Sequence, residues 1–321
     1  MVVALIPVSA LSLPTSGAVQ MTDFAPQNDE HSPPLRIELL GALDLDPLAI
    51  QVPEITELSG LAWDDDEQLL YAVSDRGHLV HFKPVFGDGR LVDATATAHH
   101  PLTNANGGRL TGKSGDAEGL IAMRASNGVR HDTELVISYE RRHRINVHKP
   151  TGQFVRRVAL PGKLANGKNY RSANKGVEAI TYHPLHGLMA GPEWPLTSVP
   201  EDQIRLYVQN GDHITLPRLN ARNAGLVAVE ALPDGRLLTL ERAHSWLTLS
   251  VIIVVKLTAQ PALEGITPVT EMARLDSGLG WRVDNFEGLT HHRRQHFFAI
   301  SDDNGSGLQK TLLLYFRLLP P

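Results

Sequence analysis

The chain has 321 residues, 42% hydrophobic and 20% charged, the balance of a soluble globular protein with a sizeable core. Its net charge of −5 excludes the clustered basic footprint that nucleic-acid binding requires. The absence of cysteine excludes disulfides, thiolate metal sites and a Cys nucleophile, and assigns no compartment.

In chain order, Met1 to Pro14 is a short apolar run followed by Ser16, Gly17 and Ala18, as in the core and cleavage region of a secretory signal, but with no basic residue ahead of it. The run is too short to span a bilayer, so a periplasmic or secreted protein without a transmembrane segment is expected. Residues 19–34, with Pro26, Pro33 and Pro34, read as a linker, and 35–321 as a single domain. Leu35 to Leu45 is a strand candidate with no unit of its own.

From Glu57 onward one layout recurs: an acid or Ser, a small residue, an aliphatic residue, a turn, then an apolar strand ending in an acid. The segments are ELSGLAWDDDEQLLYAVSDRG from Glu57, AEGLIAMRASNGVRHDTELVISYER from Ala117 and VEAITYHPLHGLMAGPEW from Val177. VEALPDGRLLTLER from Val229 and NFEGLTHHRRQHFFAISDDNGSGLQKTLLLYF from Asn285 complete the set. Aligned on Ser59, Glu118, Glu178, Glu230 and Glu287, they start 59, 60, 52 and 57 residues apart. Each holds about four strand-like pieces; in the second these are Leu120 to Met123, Glu134 to Ser138, Arg144 to His148 and Phe154 to Leu160. Turn signals at Ser126-Asn127-Gly128 and Pro150-Thr151-Gly152 separate them.

Four-stranded units repeated at this period predict an all-β protein, a β-propeller with five blades. Six blades are the alternative, if Leu102 to Ser114 hides part of another. The last unit ends one strand short after Thr311 to Leu318, and Leu35 to Leu45 would supply it and close the ring.

In an antiparallel blade the start of the first strand and the end of the second lie at the same face. First-strand starts are Glu118, Glu178, Glu230 and Glu287, with Ser59 and nearby Glu57 in the first unit. Second-strand ends are Asp75, Glu140, Glu193, Glu241 and Asp302 or Asp303, and Arg76, Arg141 and Arg242 follow three of them. About nine or ten carboxylates should therefore converge on one mouth of the central channel. Like charges so close raise one another's pKa, and either ion pairing with the arginines or a hard cation such as Ca²⁺ would offset the repulsion. The competing structural reading is that acids at strand ends only form turns.

The segments DAEGL (Asp116 to Leu120), VISYERRHRI (Val136 to Ile145), NKGVEAITYHP (Asn174 to Pro184), VEALPDGRLLTLER (Val229 to Arg242), DNFEGLT (Asp284 to Thr290) and SDDN…LQKTLLLYF (Ser301 to Phe316) resemble the phytase-like esterase family over about residues 50–318. The resemblance implies an exported bacterial propeller, related to propeller phytases that hydrolyse phosphate esters with Ca²⁺. It points to Glu118, Glu140, Arg141, Glu178, Glu241, Arg242, Glu287, Asp302 and Asp303 as the shared acid and Arg positions. On this reading Glu118, Glu178, Glu230, Glu287, Asp75, Glu241, Asp302 and Asp303 are metal ligands. Glu118, Glu140 and Glu287 are catalytic, and Arg76, Arg141 and Arg242 grip a small, phosphorylated substrate. The alternatives are a non-catalytic periplasmic propeller that binds a ligand or metal, and a metal-dependent lactonase or carboxyl-ester hydrolase.

His143 is either an acid/base group or a solvated edge residue. No G-x-S-x-G elbow, H-E-x-x-H or P-loop is present, which disfavours a serine esterase. The pairs His99-His100 and His291-His292 read as surface residues, and Trp63, Trp246 and Trp281 as blade packing.

Overall fold

The computed structural model describes residues 19–21, 23–26, 35–45, 56–245 and 250–320. Met1 to Ala18, read above as a secretory signal, and Trp246 lie outside the described residues. Within the segment read as a linker, β1 (Val19–Met21) pairs as a strand with β2 (Ile37–Leu45), and Phe24 is buried edge-on to Trp281 and Phe286.

Blade 1 is β3 (Leu58–Asp64), β4 (Leu69–Ser74), β5 (His78–Gly87) and β6 (Arg90–Pro101). Blade 2 is β7 (Ala117–Met123), β8 (Glu134–Tyr139), β9 (Arg144–His148) and β10 (Phe154–Val158). Blade 3 is β11 (Val177–His183), β12 (Gly187–Pro192), β13 (Gln203–Val208) and β14 (His213–Pro217). Blade 4 is β15 (Gly225–Ala231), β16 (Leu237–Ser245), β17 (Ser250–Thr258) and β18 (Val269–Asp276). Blade 5 takes β19 (Asn285–Arg293), β20 (His296–Asp302) and β21 (Leu312–Leu318) from the end of the chain and β2 and β1 from its beginning.

The innermost strands β3, β7, β11, β15 and β19 touch in that order, and β19 closes on β3, so the protein is a five-bladed β-propeller. Leu102 to Ser114 is no sixth blade: it is a connection holding one short 3₁₀ turn, Gly112–Ser114, and a single bridge between Thr103 and Arg109. Closure matters energetically because an open end would expose two sheet faces. Instead β2 completes blade 5 through seven residue pairs from Ile37↔Leu318 to Asp44↔Leu312, and the blades bury their apolar faces on one another. Trp63 packs on His292 and Phe298 at the blade 1–blade 5 boundary, the packing role expected of it.

The small residue that follows the acid in each repeat has a packing reason. A Cβ on Gly60 would collide with the backbone oxygen of Glu118, on Gly119 it would lie 2.6 Å from that of Glu178, and on Gly288 3.0 Å from that of Ser59. The inner strands of blades 1, 2 and 5 thus nest a glycine against the neighbouring blade's backbone, which sets how tightly the ring closes there. Gly119→Ala is expected to cost about 1–3 kcal/mol through overpacking, read as a lowered Tm by calorimetry. Gly307→Ala, where a Cβ meets nothing within 4 Å, should leave Tm unchanged; equal Tm values for the two variants would refute the nesting.

Candidate functional site

One residue of every inner strand is extra, and it sits at the channel mouth. The register against the second strand slips at Ser59 in β3, Glu178 in β11, Val227 in β15 and Glu287 in β19, and within Glu118-Gly119 in β7. Such a bulge re-aims its side chain out of the regular alternation. The second strands bring their ends up beside these bulges. Asp75, Glu140 and Glu193 donate their amides to the carbonyls of Glu57, Asp116 and Gly176, while Arg242 pairs with Gly225 and Asp302 with Asn285. Apart from Val227, the bulge side chains and the second-strand ends line, with Asp116 and Asn285, a mouth of about 980 Å³.

The ring is asymmetric, and blade 4 makes it so, with Val227 where three blades carry Glu and Arg242 where the other four carry an acid. The buried Arg242 guanidinium bonds Glu287 and Asn285 and lies 3.2 Å from Glu193. Lys175 meets the other oxygen of Glu193 at 2.6 Å, and Asn285 donates to Glu287 at 2.9 Å and to Asp302 at 3.2 Å. Charge on this side of the mouth is therefore largely neutralised.

Around Asp116 and Glu118 it is not, and Glu193 stands between the two sides. Asp116, Glu118 and Glu140 can each turn a carboxylate oxygen to within 4.8 Å of the others, and so can Glu140, Glu178 and Glu193; Glu140 belongs to both groups. Glu118 has no cationic partner among the described residues, and the exposed Arg141 reaches only Asp116, at 3.0 Å, and Glu140, at 3.8 Å. Burial and the surrounding carboxylates, Glu287 and Glu140 foremost, push Glu118 well above the ordinary carboxyl range. Burial and then Glu118 and Glu193 do the same to Glu178. Burial also raises Asp116 and Glu140. Asp75 is pushed up to about 9 by burial and by Glu57, and Asp302 to about 8 by burial and Glu287.

Several expected site residues lie elsewhere. Glu230 is three residues past Val227, paired with Leu238 near the hairpin turn, and burial there raises it to about 8. Glu241 faces away from the channel: it accepts from the Leu219 amide at 2.6 Å and meets Lys256 at 2.5 Å. Asp303 caps loops, accepting from the amides of Glu57 and Gly305 and the hydroxyl of Thr311. Arg76 is exposed and paired with Glu57, outside the mouth lining. Glu118, Glu140, Glu178, Glu287, Asp75, Asp302, Arg141 and Arg242 are brought together as expected. His143 is half-buried, stacked 3.9 Å from Tyr170, rather than a solvated edge. His99, His100, His291 and His292 are likewise half-buried, with His292 stacked on Phe86.

Asp116, Lys175 and Asn285 are mouth residues that the acid pattern did not single out. A signal for two of them was present: Asp116 and Asn285 each stand two residues before a bulge Glu. The donor chemistry fits a hard cation. Both three-residue groups are carboxylates only, and Asp75 Oδ1 is buried with no hydrogen-bond partner among the described residues. All-oxygen sets suit Ca²⁺, Mg²⁺ or Mn²⁺ over Zn²⁺ or Cu²⁺.

A family model described as phytase-like, esterase-like activity of phytase, matches residues 53–305, which include every acid of the mouth. The chain belongs to the phytase-like family. No curated protein matches it. Among solved structures, the chain is similar to one titled "Structure of Dos1 propeller", with 9% identity and a TM-score of 0.34, covering 82% of this chain and 68% of that one. For this phytase-like propeller, membership supports a hydrolase-like function in general, and the acidic mouth is compatible with it. No helix among the described residues is long and apolar enough to cross a membrane.

Proposed function

We propose that the protein is a Ca²⁺-dependent hydrolase of phosphate esters that works at the acidic mouth. The observation that carries this reading is the pair of carboxylate groups sharing Glu140: no buried guanidinium meets Asp116, Glu118 or Glu140 among the described residues, and in the second group Arg242 and Lys175 meet Glu193 alone. Asp116, Glu118, Glu140, Glu178 and Glu193 would hold the cation, with Asp75 beside them. Bound there, the cation would supply Lewis-acid polarisation of the ester and a water of lowered pKa.

The chain's own groups divide the remaining work. Glu118, which has no cationic partner among the described residues, would take a proton from water. Arg242 and Asn285 fix the Glu287 carboxylate, so Glu287 orients the ring rather than moving a proton. Arg141 and Lys175, the cations at the rim, would meet an anionic substrate as it enters. Because Arg76 and Arg242 are engaged by Glu57 and by Glu193 and Glu287, a carboxyl-ester or lactone substrate is the second reading.

Metal analysis of the purified protein, then phosphate-ester and carboxyl-ester panels with and without chelator, tests both. Bound Ca²⁺ with chelator-sensitive release of phosphate is the expected result. Chelator-sensitive turnover of carboxyl esters alone selects the second reading, and neither Ca²⁺ nor chelator-sensitive turnover would sink both.

A further inference from the structure

A second cavity, of about 800 Å³, opens beside blade 2 and shares no lining residue with the acidic mouth. Its charge is the reverse: Arg142, Arg144 and Arg157 line it, and no Asp or Glu does. Their chain neighbours Arg141 and Arg156 are paired with Asp116 and Glu134, whereas these three have no ion pair among the described residues.

Arg144 is the telling residue, because it is only 8% exposed. It donates to the Arg142 carbonyl at 3.0 Å and to the Ser114 carbonyl, and lies 3.7 Å from the centre of the Tyr139 ring. All of these contacting partners are neutral, and the Asp116 carboxylate acts on it only from beyond ion-pair distance. A buried guanidinium without a paired counter-ion is costly, and its planar fork matches an oxyanion. Asn146, 2% exposed, lines the same cavity, and its buried Oδ1 accepts no hydrogen bond among the described residues. A lone acceptor cannot serve the oxyanion itself; it suits a hydroxyl on the same ligand. Phe154 adds an apolar ring face to the wall.

We propose that this cavity binds a small sugar phosphate. The phosphate lies among Arg142, Arg144 and Arg157, a sugar hydroxyl donates to Asn146 Oδ1, and the sugar ring rests near Phe154. The site is independent of the cation at the mouth and needs no turnover.

Calorimetric titration of the full chain with glucose 6-phosphate in EDTA tests it. The expected result is saturable binding, at least about tenfold tighter than for glucose or inorganic phosphate alone, since each alone forgoes one end of the site. Arg142→Ala/Arg157→Ala, which alters two exposed side chains and leaves the buried Arg144 in place, should weaken binding at least about tenfold. Absence of binding at millimolar ligand, undiminished binding by the double variant, or equal affinity for inorganic phosphate would each overturn the proposal. Because the readout is heat in chelator, none of these outcomes bears on the Ca²⁺-dependent hydrolase, and failure of that reading leaves this one standing.

Discussion

Glu140→Gln is expected to lower Ca²⁺ affinity by at least about 100-fold and to remove chelator-sensitive turnover, because Glu140 is the one carboxylate common to both ligand groups. The exchange keeps shape and removes charge, so its effect on the metal-free fold separates a cation site from a structural collar. Glu140 and its neighbour Glu118 both lie above the ordinary carboxyl range, which means that the folded state resists their ionisation. Glu140→Gln and Glu118→Gln should therefore raise the Tm of the chelated protein at pH 8 while abolishing the further rise that Ca²⁺ gives the natural chain. A carboxylate kept for packing or turn formation would behave the other way, losing stability on substitution with the Ca²⁺ increment intact. Glu230→Gln, made on the same strand type but away from the mouth, should leave Ca²⁺ affinity and turnover unchanged. Ca²⁺ binding measured by calorimetry on the three variants decides the matter, and retention of binding by Glu140→Gln would defeat the assignment.

The same residues show where the sequence spoke clearly. Five units, their period and the closing role of Leu35 to Leu45 were legible because a blade is a local object: turn signals and period-2 alternation report it directly. The convergence of Glu118, Glu178 and Glu287 was legible for the same reason, since each precedes a small residue that must nest against the next blade. The fourth unit misled because VEA at Val229 repeats VEA at Val177 letter for letter. Strand length resolves the conflict. Glu178 and Glu287 stand seven residues before the hairpin residues Leu185 and Arg294, but Glu230 stands only four before Asp234. Val227, seven before Asp234, is the position that fills the bulge. Moving the register in this way also turns Glu241 outward and Arg242 inward, because adjacent strand residues face opposite sides. What no spacing could report was the partnering: Glu57 claims Arg76 within blade 1, while Glu193 of blade 3 and Glu287 of blade 5 share Arg242 of blade 4 through contacts between blades.

Metal-free protein is expected to lose stability as pH rises from about 6.5 to 9, and Ca²⁺ to reverse most of that loss. Asp75 and Asp302 titrate near 9 and 8 in the fold, against about 4 when unfolded. Between those limits the folded chain holds protons that the unfolded chain has released, so raising the pH favours unfolding, by at most about 1.4 kcal/mol per pH unit for each group. The buried His81 and His148 and the half-buried His292, lowered to about 4, act in the opposite sense. Below about 6.5 the unfolded chain binds the protons that these histidines refuse, so their contribution rises with pH there, against that of the carboxyls, and is spent above it. The window from 6.5 to 9 is therefore the one in which the carboxyls act alone. Ca²⁺ competes with protons for the same oxygens, so its stabilisation should grow with pH across this window. At 100 times its dissociation constant it reaches about 2.7 kcal/mol. A residual alkaline loss should persist in Ca²⁺, since Glu230, raised to about 8, lies outside the mouth and is not relieved by a cation there. Glu230→Gln should remove that residue of the slope and nothing else. Melting temperatures at half-unit pH steps, in EDTA and in Ca²⁺, read all of these effects together. A Ca²⁺ increment equal at pH 6.5 and pH 8.5 would mean that the ion binds somewhere other than the carboxyls whose protons it must displace.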